Sequence, residues 1–223
     1  MSRFEPRLDV LPPAQRAIWP LLSPTVDLGL VLYGGTAVAL YLGHRTSIDF
    51  DFFTEEPLDR EDIERRLTFL QNATVIQSQQ NTLSVIVPTL ESTVKLSFFG
   101  AITIGRVGFP QRTQDGTVEV ASPLDLLATK LKVILQRIEA KDYRDIAAIL
   151  RAGLKLADGL AAAATLYSPS FQPSEALKAL TYFQGGDLDQ LTAKDKDVLT
   201  RTASGVRGVP SMGLTSRSLS SRL

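Results

Sequence analysis

The chain has 223 residues, with 24 Lys and Arg, 24 Asp and Glu, one His and no Cys, so its formal net charge is zero. The lack of Cys excludes a disulfide framework, thiolate zinc sites, Fe–S clusters and a Cys nucleophile. One histidine excludes HExxH metal sites and leaves a Ser-His-Asp triad only if His44 is its base. The remaining chemistry is therefore expected on carboxylates, lysines, arginines and backbone amides.

Length and hydrophobicity indicate one or two globular domains and no membrane segment. No run of about 18 apolar residues is present, so no membrane span is predicted. The N-terminal residues lack the apolar run of a secretory signal, and a cytoplasmic location is expected. Zero net charge argues against a wholly basic nucleic-acid-binding surface.

The first elements in chain order are a weak helix, a strand and a short helix. Apolar residues at helical spacing over residues 9–22 indicate the weak helix. The apolar run of residues 28–33 ends at Gly34-Gly35, which favours a buried strand and a tight turn. Thr36 is then expected to cap a helix over residues 37–42, and Gly43 to end it.

Residues 48–53 alternate between apolar and acidic side chains with a period of two. The alternation predicts a strand with Ile48, Phe50 and Phe52 on one face and Asp49 and Asp51 on the other. An amphipathic helix over residues 57–70 should follow, since Asp59-x-x-Asp62 resembles a capping box. Further strands are predicted over 73–79, 83–87, 93–99, 102–109 and 118–120, with a hairpin turn at Asn81-Thr82.

The periodicity changes near residue 121, where Ser122-Pro123-x-Asp125 has the features of a helix start. Helices are predicted to about residue 137 and then over 141–152, 155–166, 173–184 and 192–203. Three parts follow: an α/β core over residues 1–121, a helical region over 122–200 and a Ser/Arg/Gly-rich tail over 201–223. The tail composition favours a flexible or loosely packed segment, with an RNA- or partner-contacting arm as the alternative.

The strand, Gly-Gly turn and helix suit a triphosphate. Backbone N–H groups at a helix start and the helix dipole favour phosphate, and glycine allows close approach. Asp49 and Asp51 point the same way from their strand and supply the hard oxygen ligands that Mg²⁺ prefers. Arg45 and Ser47 are candidate phosphate contacts. His44 is interpreted as part of the loop between helix and strand, with general-base chemistry as the alternative.

These motifs carry a family resemblance. Gly34-Gly35-Thr36 followed by Ser47-Ile48-Asp49-Phe50-Asp51 resembles the signature of the polymerase-beta-like nucleotidyltransferase superfamily. The stretch LYGGTAVALYLGHRTSIDFDFF looks more closely like the AbiEii/AbiGii toxin family. A later pattern, Lys130, then Arg137, then Lys141-Asp142-x-x-Asp145, resembles that family's helical motif.

The resemblance implies an α+β fold, with a mixed sheet and a helical C-terminal region that completes the cleft. It implies a Mg²⁺-dependent transfer of a nucleotide from an NTP to an acceptor, either RNA (tRNA among the candidates) or protein. A cognate antitoxin partner in a toxin–antitoxin or phage-defence system is also implied. The implied roles are phosphate binding by Gly34, Gly35 and Thr36, metal binding and catalysis by Asp49 and Asp51, catalysis by Lys130 and Asp142, and nucleotide binding by Arg137 and Asp145.

One position departs from the superfamily pattern. Related enzymes often have a third carboxylate on a neighbouring strand, where this chain has Ser97 beside Lys95 on the same strand face. Glu91 and Glu119 are candidate substitutes. A catalytically degenerate module that binds a nucleotide or a partner is therefore the alternative function. Phosphoryl transfer remains open, because it also needs Mg²⁺ and a triphosphate cradle.

Overall fold

The computed structural model describes residues 2–221, which divide into two compact units. The first unit takes in residues 2–105, 109–122 and 216–221, and the second takes in 106–108 and 123–215. The predictions that involve Met1, and the Arg222 and Leu223 part of the tail, lie outside the described residues. Within the described part of the chain, no helix is long and apolar enough to cross a membrane.

The first unit is built on a mixed sheet that has eight strands within the described residues. The strands are β1 (Arg3–Phe4), β2 (Val31–Tyr33), β3 (Asp49–Phe53), β4 (Thr74–Gln79), β5 (Thr82–Pro88), β6 (Thr93–Phe99), β7 (Gln111–Thr113) and β8 (Glu119–Val120). Their order in the sheet is β1-β7-β8-β2-β3-β6-β5-β4. Strand β2 pairs antiparallel with β3 and parallel with β8, and β3 pairs parallel with β6. The α+β fold class predicted from the sequence is confirmed.

Aromatic side chains form the centre of this unit's core. Phe50, Phe52 and Phe98 are fully buried, and the rings of Phe52 and Phe98 stack with centroids 5.7 Å apart. Burying one such side chain contributes about 1.5–3 kcal/mol. The apolar face of β3 is thereby fixed inward, which turns its acidic face outward.

The first unit has four α-helices within the described residues, and the helices predicted over 9–22 and 57–70 differ from them. They are α1 (Pro13–Ile18), α2 (Pro24–Asp27), α3 (Gly34–Leu42) and α4 (Arg60–Arg66). The predicted helix over 57–70 is shorter, because the Asp59 side chain accepts the Asp62 N–H bond at 2.9 Å and so starts α4 only at Arg60. The predicted weak helix over 9–22 is interrupted by prolines: a 3-10 helix over Trp19–Leu22 directly follows α1, and α2 begins beyond the predicted segment.

Two further local predictions were wrong. Residues 102–109 are not a strand, since Gly105 and Gly108 interrupt this segment and Pro110 follows it. Thr36 does not cap α3, because that helix already begins at Gly34 with Tyr33 as its N-cap residue. The predicted end of the helix is confirmed: Gly43 adopts φ +64° and its N–H donates to the Ala39 carbonyl.

The second unit is helical within the described residues. It contains α5 (Pro123–Val133), α6 (Ala140–Arg151), α7 (Leu156–Leu166), α8 (Pro173–Ala179) and α9 (Ala193–Gly205). Helix α6 buries Ile146, Ile149 and Leu150 along one side, as the helical spacing predicts. These helices support the buried charged cluster described below.

The predicted domain boundaries stay predictions, and the structure describes the residues around the second of them. Residues 201–205 form the last turn of α9. Further along, the Leu219 side chain is buried and its N–H donates to the Glu55 carboxylate at 3.0 Å. The Ser221 N–H donates to the Glu119 carboxylate at 3.0 Å. The end of this segment is therefore packed within the first unit.

Candidate functional site

Strand β3 carries the two acidic residues expected to form the site. Phe50 and Phe52 are fully buried, whereas Asp49 and Asp51 are partly exposed on the opposite face. Ile48 was predicted to share the buried face, but it precedes β3 and is 60% exposed. The period-two pattern thus holds for the strand itself and places both carboxylates on one face.

The turn from β2 into α3 lies against Asp51. Gly34 has φ +77°, and a β-carbon on it would lie 2.6 Å from Oδ2 of Asp51. Only glycine combines this backbone conformation with so close an approach of the carboxylate. The start of a nine-residue helix, with its N–H groups and positive dipole end, is therefore next to one of the two acids.

Arg45 and Ser47 lie over the next residue of that turn. A β-carbon on Gly35 would collide with Nη2 of Arg45 and would lie 3.3 Å from the Ser47 Oγ. The Arg45 guanidinium also donates to the Thr46 carbonyl at 3.0 Å. Gly35, Arg45 and Ser47 are thus brought together, and a glycine N–H group, a guanidinium and a hydroxyl form a donor set suited to phosphate.

Thr36 fixes the loop that leads into β3. Its hydroxyl donates to the Asp49 carbonyl and shares a 2.9 Å hydrogen bond with the Ser47 hydroxyl. Its side chain is buried, as is that of Ser47. These contacts indicate a positioning role for the Thr36 hydroxyl, and its expected phosphate contact stays a prediction.

Gln15 is a further residue at this loop that the sequence did not indicate. Its side-chain amide donates to the Ile48 carbonyl at 2.5 Å, one residue before Asp49, and the side chain is 3% exposed. It lies on α1, which is 33 residues away in the chain. A weak helical pattern gives no signal for such a long-range contact.

Strand β6 supplies the position where a third carboxylate was expected. Ser97 is in register with Asp51, and Lys95 is in register with Asp49. Ser97 is 2% exposed, and its hydroxyl accepts a 3.2 Å hydrogen bond from Ser84 on β5. The position beside Asp51 therefore holds a buried hydroxyl in place of an acid.

Neither candidate substitute lies beside Asp51. Glu91 is exposed in the turn before β6. Glu119 is buried on β8, where it is in register with Val31 and accepts the Ser221 N–H bond. Within residues 2–221, no group of three or more His, Cys, Asp or Glu side chains is arranged to hold a metal ion.

The chemistry of Asp49 and Asp51 fits Mg²⁺ as a shared ion. Mg²⁺ is commonly bound by one or two carboxylates, with water and substrate phosphates completing its coordination. Two carboxylates on one strand face match the protein ligands of such an ion, and the helix start and the arginine next to them suit the phosphates that would complete its coordination. Asp49 and Asp51 are the residues that would hold the ion.

The later motif forms a buried charged cluster inside the second unit. The Lys130 Nζ lies 2.6 Å from Oδ1 of Asp142 and 2.6 Å from Oδ2 of Asp145. Both carboxylates are fully buried, and Lys130 is 5% exposed. Arg137 donates to both oxygens of Asp142, at 2.8 and 3.2 Å, with its guanidinium about half exposed.

Two cations determine the protonation state of Asp142. Burial raises its pKa, but hydrogen bonds from Arg137 and Lys130 and their positive charges outweigh that effect. The pKa of Asp142 therefore lies below its usual range. The structure thus brings together the four predicted residues of this motif, with Lys130 paired with both aspartates and Arg137 paired with Asp142.

The fold and these motifs together define a nucleotidyltransferase-like α+β protein. The family model described as nucleotidyl transferase AbiEii toxin, type IV toxin–antitoxin system, matches residues 21–203. The chain therefore belongs to the AbiEii family. It is also similar to an uncharacterized protein of Aquifex aeolicus (strain VF5), with 32% identity over 136 residues that cover 58% of this chain and 64% of that protein. The chain thus spans less than two thirds of the length of that relative.

Proposed function

We propose that the protein is a Mg²⁺-dependent nucleotidyltransferase toxin that transfers a nucleotide from an NTP to an RNA or protein acceptor. The observation that carries the proposal is the closeness of Asp51 to Gly34, with Arg45 over Gly35. Membership of a nucleotidyl transferase toxin family supports the same reaction. tRNA is one candidate acceptor.

In this reaction an acceptor hydroxyl oxygen bonds to the α-phosphorus, and the hydroxyl proton passes to water. The bond from the α-phosphorus to the oxygen shared with the β-phosphorus breaks, and pyrophosphate leaves with that oxygen. Asp49 and Asp51 would hold the Mg²⁺, which neutralises phosphate charge when bound. Arg45 and the Gly34-Gly35 amides bind and orient the phosphates, since they are fixed donors at a helix start. Thr36 keeps Asp49 in place through its carbonyl.

The second unit contributes the Lys130, Arg137, Asp142 and Asp145 cluster to the proposal. Arg137 is the member with an exposed guanidinium, held in one orientation by Asp142. A guanidinium oriented in this way suits bidentate binding of a phosphate group, and the nucleotide-binding role that the family resemblance implies for Arg137 is proposed on that ground alone. Lys130 and Asp145 are assigned the role of holding Asp142, and Asp142 that of orienting Arg137.

A type IV toxin–antitoxin family also implies a regulatory partner, and we propose a cognate antitoxin as that partner. Expression of the protein alone and together with the protein encoded by the neighbouring gene, followed by growth measurements, tests this proposal. Growth arrest that the neighbour relieves is expected. A chain whose expression leaves growth unchanged would contradict the toxin assignment.

Transfer itself is tested with NTPs that carry the label on either the α- or the γ-phosphate. The purified protein is incubated with Mg²⁺, one labelled NTP and total tRNA, and both RNA and protein are analysed. Nucleotidyl transfer moves the α-label and not the γ-label to the acceptor. Transfer of the γ-label alone would instead show phosphoryl transfer.

A second candidate function is nucleotide binding without turnover, and Ser97 is the observation that favours it. Where related enzymes often have an acid, a hydroxyl cannot serve as a carboxylate base. Calorimetry would then show NTP binding without pyrophosphate release. A Ser97→Asp variant that gains activity would support this candidate, whereas robust turnover by the wild type would exclude it.

A further inference from the structure

Lys95 lies on the same sheet face as the two aspartates. It is the third residue of β6 and lies in register with Asp49 of the parallel strand β3, two residues before Ser97. Residues in register on neighbouring strands point to the same face of a sheet. The Lys95 side chain therefore starts beside Asp49, on the face that carries Asp51.

The Lys95 ammonium lacks a partner among the residues that the structure describes. Its side chain is partly buried, and no hydrogen bond or ion pair connects it to residues 2–221. A partly buried ammonium that no hydrogen bond or ion pair satisfies costs free energy relative to the same cation in water. Lys95 is also the one lysine in the sequence ranges of the first unit. This cost indicates that the ammonium pairs with an anionic group of a bound ligand.

The charges on this face do not repel an arriving polyanion. With Ser97 in the place of a third acid, the two carboxylates of Asp49 and Asp51 are balanced by Arg45 and Lys95. Three carboxylates would repel a triphosphate until metal ions neutralised them, because like charges within a few ångströms repel strongly. A balanced face binds phosphate oxygens with less dependence on metal.

We propose that the Lys95 ammonium binds the phosphate chain of the nucleoside triphosphate. This inference rests on the proposed function, because it assigns one more contact to the same substrate site. It has a consequence that a purely structural lysine lacks: part of the NTP affinity persists without divalent metal and depends on Lys95.

Isothermal titration calorimetry on the full chain tests this, with ATP, GTP, CTP and UTP each titrated in Mg²⁺ and in EDTA. Lys95→Met is expected to weaken binding of the preferred NTP about tenfold or more in both conditions, since one charge-assisted contact is lost. Lys95→Arg should stay within about threefold of the wild type, because the charge is kept. Lys194→Met, at an exposed position of α9, is the matched control and should bind like the wild type.

Folding is monitored by circular dichroism and thermal unfolding of each variant. If Lys95→Met does not fold, the wild type is treated with a lysine-reactive acyl-phosphate derivative of the preferred NTP, and modification of Lys95 that the unmodified NTP prevents is expected. A folded Lys95→Met with wild-type affinity, or an unmodified Lys95, overturns the inference while the proposed function stands. A wild type that binds none of the four nucleotides overturns both.

Discussion

Oδ2 of Asp51 lies so close to Gly34 that a β-carbon on Gly34 would come within 2.6 Å of it. The two residues are 17 positions apart, yet they define the centre of the site. Gly34→Ala is expected to lower the free energy of unfolding by about 1–3 kcal/mol, because alanine is strained at φ +77° and displaces the carboxylate. Urea denaturation measures the loss, and NTP affinity should fall with it.

The matched control for that change is Gly205→Ala. Gly205 is the last residue of α9, and a β-carbon there has no atom within 4 Å. The free energy of unfolding of the Gly205→Ala variant should stay within about 0.5 kcal/mol of that of the wild type. Equal losses of unfolding free energy for Gly34→Ala and Gly205→Ala would show that the close approach of Gly34 to Asp51 does not contribute to stability.

Thr36 should matter through its hydroxyl. Thr36→Val keeps the shape but removes the hydrogen bonds to the Asp49 carbonyl and the Ser47 hydroxyl. A loss of about 1–3 kcal/mol in unfolding free energy is expected, because buried polar groups are left unsatisfied. Thr36→Ser should retain most of the stability, and a Val variant as stable as the Ser variant would contradict the assigned role.

The buried cluster of the second unit predicts a larger effect. Lys130→Met leaves Asp142 and Asp145 without their shared cation, and removing one partner of a buried ion pair costs about 3–5 kcal/mol. Lys178→Met removes only an exposed pair with Glu175 and should cost less than about 1 kcal/mol. Denaturant unfolding of both variants makes the comparison, and similar small losses would contradict the buried pairing.

The contribution of this cluster to the stability of the fold should decrease as the pH falls. Since the pKa of Asp142 is lower in the folded protein than its ordinary 3.8, the ionised carboxylate stabilises the fold above that value. This contribution is lost as the pH falls from there through the lower folded pKa. Wild type and Asp142→Asn should therefore differ most in stability near neutral pH and converge in acid, as thermal unfolding across pH measures. A difference that grows in acid would contradict the sign.

Local patterns in the sequence were sufficient for the acidic face of β3. The alternation of Phe50 and Phe52 with Asp49 and Asp51 is a property of five consecutive residues, so the strand period alone predicts which face is buried. The Asp59-x-x-Asp62 pattern likewise indicated the cap of α4, since the Asp59 side chain accepts the N–H of Asp62, although the helix predicted from residue 57 begins only at Arg60. The family motifs added the grouping of both glycines with the aspartates.

Contacts between distant segments could not be predicted in this way. The parallel register that places Ser97 beside Asp51 depends on strands more than 40 residues apart. Thr36 has the sequence position of a helix cap, but its hydroxyl turns to the loop before β3 because α3 begins two residues earlier. The contact of Gln15 with Ile48 likewise depends on the packing of α1, which periodicity does not indicate.

The central claim is that Asp49 and Asp51 support nucleotide transfer, and label transfer from α-labelled NTP in Mg²⁺ tests it most directly. Asp49→Asn and Asp51→Asn are compared with the wild type and with Asp27→Asn, an exposed aspartate of the first unit. We expect transfer by the wild type and by Asp27→Asn, and a loss of at least a hundredfold in the two site variants, given what charge stabilisation contributes to such reactions. Undiminished transfer by folded Asp49→Asn and Asp51→Asn proteins would contradict the account.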